Sequence, residues 1–236
     1  MLERFKIAIK TALHATNLRP MYFGSNFFDD VRIRLPGQRL GTVFDVGANQ
    51  GQSAAEFRRK FPTAEIHCFE PNPDCCRTLE SMDPKLNVHQ IALGNETGRI
   101  GFDRSNSQSE MYTVTEGPAS EQVELDTLDN FVSKNGIEHI DFLKIDTEGY
   151  DLNVIRGASR MFEAFNVDII QAEVSMNSDN TFHVPFVCVH KEMEQFGYRL
   201  FGIYEQVFEW GKNAPYLRRS NVVYIAPKVW KSNKLY

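Results

Sequence analysis

A glycine-containing segment at residues 45–51 carries the first chemical signal in this sequence. It runs Asp45-Val46-Gly47-Ala48-Asn49-Gln50-Gly51 and lies between a short apolar run and a stretch with helical character. Glycines at such a turn let the backbone bend sharply and approach a ligand closely, and the N–H groups at the start of the helix face the same crevice. The pattern predicts a nucleotide-type site formed by Asp45, Gly47, Asn49 and Gly51.

The spacing of this segment narrows the kind of cofactor. The G-x-G-x-x-G fingerprint of dinucleotide sites needs glycine where this chain has Asn49 and Gln52. The segment is also not a P-loop, because no Gly-Lys-Ser/Thr follows it. The sequence therefore favours a cofactor without a pyrophosphate.

Two further strand ends carry matching signals. Glu70 ends the second predicted strand, where a carboxylate can accept hydrogen bonds from both hydroxyls of an adenosine ribose. Ala92 and Leu93 follow the third predicted strand and could border an adenine ring. Ligands of open α/β sheets bind at the carboxyl ends of the strands. Three signals at three successive strand ends therefore predict one cofactor site.

Charged residues alternate along the fourth predicted strand and its exit. Lys144, Asp146 and Glu148 fall on one side of an extended segment, because side chains alternate along a strand. Glu173, near the end of the next strand, faces the same crevice. Such charges are costly to bury unless they are paired. They could position an acceptor or hold a divalent metal through two carboxylates, or Lys144 and Glu148 could form a structural ion pair.

The elements that carry these residues follow an alternating pattern, which predicts βαβ units and a parallel sheet in an α/β domain. Residues 98–125 look like short extended pieces around a polar loop. Residues 2–16 form a predicted amphipathic helix, residues 17–38 an irregular lead-in, and residues 39–236 one domain. The predicted strands are 42–46, 65–69, 87–91, 141–145, 167–174, 198–204 and 222–226, and the predicted helices 52–60, 73–81, 128–134, 153–165 and 185–196.

Composition limits the classes of partner and compartment. The net charge of -5 disfavours broad nucleic-acid binding, and no apolar run approaches the ~20 residues that span a bilayer. Four cysteines without a C-x-x-C pair, and no signal-peptide pattern, indicate a cytoplasmic protein with reduced thiols. The helix at 2–16 is expected to pack on the domain or on a second subunit of a homo-oligomer rather than on a membrane.

Three motifs together resemble the FkbM family of S-adenosylmethionine (SAM) dependent methyltransferases. They are the run from Val43 to Gly51, Phe69-Glu70-Pro71-Asn72-Pro73, and the run from Asp141 to Gly149 with Lys-Ile-Asp-x-Glu-Gly at its end; residues 125–129 and 172–174 also match. The resemblance covers about residues 40–205. It implies a Rossmann-like class I methyltransferase fold, with a mostly parallel seven-stranded sheet flanked by helices and an antiparallel last strand.

The resemblance also implies O-methylation, commonly of hydroxyls on sugars or natural products. By position, Asp45, Gly47, Asn49 and Gly51 would line the methionine side of SAM, and Glu70 the ribose. Residues 105–110, which include Ser109, stand where the family often has a serine- and glycine-rich loop that closes over SAM. This chain lacks those glycines, and residues 176–187 follow no family pattern.

The acceptor hydroxyl needs a general base, since it is a weak nucleophile. Asp146 is the first candidate for its position, and His183 and His190 are second candidates. A divalent metal is an open alternative. Two other functions remain at this point: an NAD(P)-dependent oxidoreductase, which the glycine spacing disfavours, and a non-catalytic interaction module, which the intact Asp45, Glu70 and Asp146 disfavour.

Overall fold

The computed structural model describes residues 23–103, 113–115, 121–209 and 214–233. The predicted helix at 2–16 and the predicted contact of Ser109 lie outside these residues. The strands, in chain order, are β1 (Thr42–Val46), β2 (Glu65–Phe69), β3 (Leu86–His89), β4 (Ala92–Leu93), β5 (Gly98–Asp103), β6 (Thr113–Thr115), β7 (Glu121–Asp126), β8 (Ile140–Ile145), β9 (Val167–Ser175), β10 (Arg199–Phe208) and β11 (Leu217–Ile225).

Helices cover the central sheet and follow the predicted alternation. In chain order they are α1 (Phe27–Arg34), α2 (Gln52–Lys60), α3 (Pro73–Met82), α4 (Leu128–Asn135), α5 (Asp151–Arg156), α6 (Ser159–Glu163), α7 (Phe186–Gln195) and α8 (Pro227–Ser232). None of the helices among the described residues combines the length and apolar character needed to cross a membrane.

The central sheet has seven strands in the order β10-β11-β9-β8-β1-β2-β3. β11 pairs antiparallel with both neighbours, β10 and β9, while the pairs from β9 to β3 are parallel. The predicted fold class is therefore confirmed. The chain moves outward from β1 to β3 and then returns to β8 on the other side of β1. This reversal opens a crevice at the carboxyl ends of β1 and β8, which is where ligands of such sheets bind.

A second, four-stranded sheet with the order β4-β7-β5-β6 is formed by β4 together with the segment at 98–125 that was predicted as short extended pieces. It has its own apolar cluster, in which Ala92, Ile100 and Leu125 are buried. Ala92 and Leu93 pair with Leu125 and Asp126 of β7. The small sheet thus fixes the backbone that borders the predicted adenine position.

The lead-in at 17–38 is not irregular throughout, because it contains α1. Asn26 caps this helix by accepting the Asp29 N–H, and acidic residues in the first turn and basic residues in the last suit its dipole. Phe27 and Val31 are buried in the same core as the central sheet. The flanking prolines and glycines obscured this helix in the sequence.

Other boundaries differ where a local constraint overrides periodicity. The predicted strand 87–91 splits into β3 and β4, and the predicted helix 153–165 splits into α5 and α6 near Gly157. A Cβ atom on Gly157 would lie 1.8 Å from the carbonyl oxygen of Gly94, so the two backbones meet at this point and interrupt the helix. β10 runs on to Phe208 and β11 begins at Leu217, so both are longer than predicted, and α8 was not predicted.

Candidate active site

The loop after β1 brings the ends of β1 and β8 together. Gly47 has a φ of 79°, and a Cβ atom there would lie 1.9 Å from the carbonyl oxygen of Asp146. Any side chain at residue 47 would therefore both strain the backbone and collide with the backbone that follows β8. Asn49 also has a positive φ, 47°, which is uncommon outside glycine.

A cavity of about 350 Å³ opens at this point, at the carboxyl ends of the central strands. Its volume lies at the lower end of typical small-molecule sites. Five of the eight predicted cofactor residues line it: Gly47, Asn49, Glu70, Ala92 and Leu93. Three of the four predicted catalytic residues also line it, namely Lys144, Asp146 and Glu148.

The carboxylate of Glu70 forms part of the cavity wall and is held by the backbone. It accepts the N–H of Asn49 and the N–H of Asn72, both at 2.8 Å. Burial raises the pKa of Glu70, and these two N–H groups act in the opposite direction. Glu70 therefore shapes the loop after β1 as well as presenting a carboxylate to the cavity.

Lys144 connects two carboxylates at the end of β8. Its Nζ lies 3.3 Å from Asp45 Oδ1 and 3.0 Å from Asp146 Oδ2. Burial alone would lower the pKa of Lys144, but the two carboxylates outweigh it and raise that pKa, so the ammonium stays charged. Asp45 is fully buried and does not line the cavity, and its Oδ2 has no hydrogen-bond partner. Asp45 faces Lys144 in this structure.

Glu148 and Glu173 meet through His183. His183 Nε2 lies 2.6 Å from Glu173 Oε2 and 3.6 Å from Glu148 Oε2. Arg219 donates to the other oxygen of Glu173. Glu148 has a φ of 54°, and burial, together with Asp146 and Glu173, raises its pKa to about 7.

This cluster is the one at the site that could hold a cation among the described residues. Glu148, Glu173 and His183 offer ligand atoms that all lie within 4.8 Å of one another. However, both oxygens of Glu173 already accept hydrogen bonds or ion pairs, and the nearby Arg219 guanidinium would repel a cation. Asp146, which the sequence suggested as a metal candidate, interacts with Lys144 instead.

The family model of the methyltransferase FkbM domain matches residues 45–200. The chain belongs to this family. The predicted family is therefore confirmed, and neither the oxidoreductase nor the interaction module gains support.

Two relatives of the FkbM domain indicate the kind of chemistry found in similar proteins. The 2-O-methyltransferase NoeI of Sinorhizobium fredii is 30% identical over 138 residues, which cover 49% of this chain and 56% of NoeI. The hexuronic acid methyltransferase AglP of Haloferax volcanii is 25% identical over 139 residues, 57% of each chain. The match thus spans little more than half the length of these relatives.

A solved structure shares the fold of the FkbM domain. It is a putative SAM-dependent methyltransferase from Listeria monocytogenes, with a TM-score of 0.51 and 8% sequence identity over 84% of this chain and 96% of that one. At this identity the likeness supports the fold alone.

Not every predicted residue of the FkbM domain lies at the cavity. Gly51 caps the start of α2 and faces Leu79 and Met82 of α3. Glu173 lines an adjoining cavity rather than the first one. His190 contacts Tyr224 and stacks on Phe186, and it lines neither cavity.

The sequence did not predict that Arg219 belongs to the site, nor which residues His183 contacts. Arg219 lies on β11, next to β9 and the Glu173 carboxylate. A basic residue in a sheet strand gives no local signal of this contact, because the pairing of β11 with β9 joins distant parts of the chain. His183 was a candidate base in the sequence, but its link to two carboxylates follows only from the packing of the segment after β9.

Proposed function

We propose that this chain is a SAM-dependent O-methyltransferase that methylates a hydroxyl of a sugar or glycan. One observation supports this most strongly. The cavity at the β1–β8 crevice has a cofactor wall, formed by the Gly47–Asn49 loop and Glu70, and a charged wall, formed by Lys144, Asp146 and Glu148.

The residues of the first wall fit SAM. Glu70 presents a buried carboxylate at the end of β2, where it would accept hydrogen bonds from the ribose hydroxyls. The loop from Gly47 to Asn49 would border the methionine part, and Ala92 and Leu93 the adenine. SAM supplies a methyl group on a sulfonium for in-line transfer to a nucleophile, and the protein contributes mainly proximity and a dry site.

The second wall would position and deprotonate the acceptor hydroxyl. Asp146 lines the cavity beside the charged Lys144, so it suits a hydrogen bond to the hydroxyl. Glu148 suits the role of proton acceptor, because a base works best with a pKa near the working pH and its pKa is raised to about 7 by burial and nearby carboxylates. His183, which pairs with Glu173 and lies 3.6 Å from Glu148, would orient the Glu148 carboxylate. A divalent metal held by the same three residues is the second candidate role.

The sugar or glycan acceptor is supported by the relatives. NoeI is named a 2-O-methyltransferase and AglP a hexuronic acid methyltransferase. A cytoplasmic location is part of the same proposal, supported by the absence of a disulfide among Cys68, Cys75, Cys76 and Cys188.

Two measurements test this function. Calorimetry on purified, cofactor-stripped protein should detect binding of SAM and of S-adenosylhomocysteine (SAH), with NADH binding far more weakly. Methyl-labelled SAM should then transfer its label to at least one member of a panel of sugars and nucleotide-sugars. NADH binding without a response to SAM or SAH would contradict the proposal.

A further inference from the structure

A second cavity adjoins the first on the far side of Lys144 and Asp146. It also has a volume of about 350 Å³. Its lining includes the segment before and at the start of α1, from Ser25 to Phe28, and residues of β10 and β11, among them Glu205. Four residues line both cavities: Ser53, Lys144, Asp146 and Arg219. Two charged residues of the proposed reaction, Lys144 and Asp146, therefore line both cavities.

The lining of the second cavity combines aromatic rings with polar groups. The rings of Phe27, Phe57 and Tyr204 belong to this lining although they are mostly buried, while Gln171 and Asn221 contribute amide groups. A pyranose presents apolar C–H faces and a rim of hydroxyls, so it matches such a lining. Most of the residues that line this cavity are polar or charged, which suits a ligand rich in hydroxyl groups.

Negative charge dominates this lining. Four carboxylates, those of Glu56, Asp146, Glu173 and Glu205, are accompanied by two cations, Lys144 and Arg219. The Lys144 ammonium is shared between Asp146 and the buried Asp45, and Arg219 pairs with Glu173. Both cations are thus engaged by carboxylates, and neither is left to receive an anionic ligand. Glu56 pairs with the exposed Arg59 outside the cavity.

Glu205 has an unusual, positive-φ backbone conformation. It lies at an irregularity in the pairing of β10 with β11 and has a φ of 47°. Its Oε2 accepts a hydrogen bond of 2.6 Å from the Asn221 amide. Three of the four non-glycine residues with positive φ in the described chain, Asn49, Glu148 and Glu205, line these two cavities. Such strain concentrates at functional sites.

We propose, on the basis of the methyltransferase function above, that the second cavity is the acceptor site and that it selects polyols without negative charge. Neutral sugars and amino sugars fit it, because hydroxyl and ammonium groups can donate to its carboxylates. Sugars that carry a carboxylate or phosphate would meet uncompensated like charge. Glu205 is the specificity-determining residue, since its carboxylate accepts a hydrogen bond from Asn221 and forms no ion pair with Lys144 or Arg219, which pair with Asp146 and Glu173.

Binding of three matched probes to the SAH-saturated protein tests this proposal. The probes are methyl glucoside, methyl 2-amino-2-deoxyglucoside and methyl glucuronide, which differ in charge on one ring scaffold, and NMR titration measures their affinities. The neutral or the amino probe is expected to bind at least tenfold more tightly than the glucuronide. Tighter binding of the glucuronide would overturn the proposal, and so would the absence of binding by all three.

Variants then test whether the preference for neutral and amino sugars over the glucuronide arises in the second cavity. Glu205→Lys should reduce the preference against the glucuronide at least tenfold, and Glu205→Gln should reduce it less, both with SAH affinity within twofold of wild type. Glu138→Lys makes the same charge change at the opposite, amino end of β8 and should have no effect on the preference. Ser25→Trp should block all probes while SAH still binds. An unchanged preference in Glu205→Lys with normal SAH affinity would contradict the proposal.

The same measurements distinguish a failure of the proposed methyltransferase function from a failure of the proposed charge selection. A protein that fails to bind SAM or SAH contradicts the proposed methyltransferase function itself. A protein that binds SAH, transfers methyl groups, and prefers the glucuronide keeps that function and refutes only the charge selection. SAH affinity also reports on folding in each variant, so a loss of probe binding is interpreted only beside retained SAH binding.

Discussion

At the scale of single residues, Glu70 links the shape of the cofactor loop to ligand binding. Glu70→Ala should weaken SAM and SAH binding by about tenfold to a hundredfold, because hydrogen bonds to a charged group contribute ~1.5–3 kcal/mol. The mutation also releases the Asn49 N–H that Glu70 holds. Calorimetry measures the change. Glu65→Ala, at the exposed start of the same strand, is the matched control and should leave binding unchanged. Unaltered SAH affinity in folded Glu70→Ala would refute the ribose role.

Asp146 belongs to the acceptor side of the site. Asp146→Asn keeps the size of the side chain but removes the charge beside Lys144. Turnover should fall about 10²–10⁴-fold, the range for a lost acid–base or positioning group, while SAH affinity stays within a few-fold. Turnover with labelled SAM and calorimetry measure the two effects. A nearly fully active variant would mean that Lys144, Asp45 and Asp146 form only a structural ion network.

The raised pKa of Glu148 predicts that turnover depends on pH. Only its carboxylate form can accept a proton, so turnover should rise as pH increases through about 7, the value to which burial and Asp146 raise its pKa. Glu148→Gln should lower turnover and abolish that rise. EDTA treatment of the wild type separates the two roles of the cluster. Activity that EDTA abolishes and a divalent ion restores would assign Glu148, Glu173 and His183 to a metal, against the proton-acceptor role.

The sequence predicted much of this site because its residues stand at strand ends. Glu70, Asp146 and Glu148 follow apolar strands, and topology alone brings such positions to one edge of a parallel sheet. Side-chain direction was not predictable in the same way: Asp45 is buried against Lys144. Arg219 was missed because its contact with Glu173 depends on the pairing of β11 with β9.

At the scale of elements, hydrophobic periodicity predicted the central strands and most helices, since burial on the sheet imposes that pattern. It did not predict α1, whose amphipathic face is short and lies among glycines and prolines. The continuation of β10 beyond Tyr204 was also not predicted, because its outer residues are exposed and its pairing includes irregularities near Glu205. These less regular elements form the wall of the proposed acceptor site.

A buried carboxylate from another helix holds the start of α6. Asp129 of α4 accepts the backbone N–H groups of Arg160 and Met161 at 2.8 and 3.0 Å, which α6 cannot satisfy itself because no side chain caps it. Asp129→Ala should lower the free energy of unfolding by about 1–3 kcal/mol, the cost of leaving buried donors unsatisfied. Urea unfolding measures this loss. Asp129→Asn keeps one acceptor and should lose less, and equal losses would contradict the capping role.

At the scale of the whole molecule, the two ends of the central sheet carry different polar networks. The carboxyl ends form the candidate active site. At the amino ends, His139 lies 3.4 Å from Asp141 and 3.3 Å from Asp168, which are the second residues of β8 and β9. Asp168 also accepts from Gln38, before β1, and from Lys228 of α8. This second network connects the lead-in, the central strands and the last helix, so it is expected to stabilise the fold rather than bind a ligand.

His139 makes that stabilisation depend on pH. Hydrogen bonds to Asp141 and Asp168 raise its pKa to about 9, above the ~6.5 of an unfolded histidine. The contribution is therefore complete below about pH 6.5 and is lost as pH rises to about 9. His139→Gln should lower the free energy of unfolding by about 1 kcal/mol at pH 6, a value discounted because the side chain is 35% exposed and solvent screens the pair.

The difference between the wild type and His139→Gln should then shrink towards zero by about pH 9.5. Urea unfolding of both proteins across this range measures it. Comparing the two proteins at each pH removes the contributions of other groups, such as Glu148, that titrate in the same interval. A gap that stays constant from pH 6 to pH 9.5 would contradict this pH dependence and would mean that the neutral imidazole supports the amino-end network as well as the charged one.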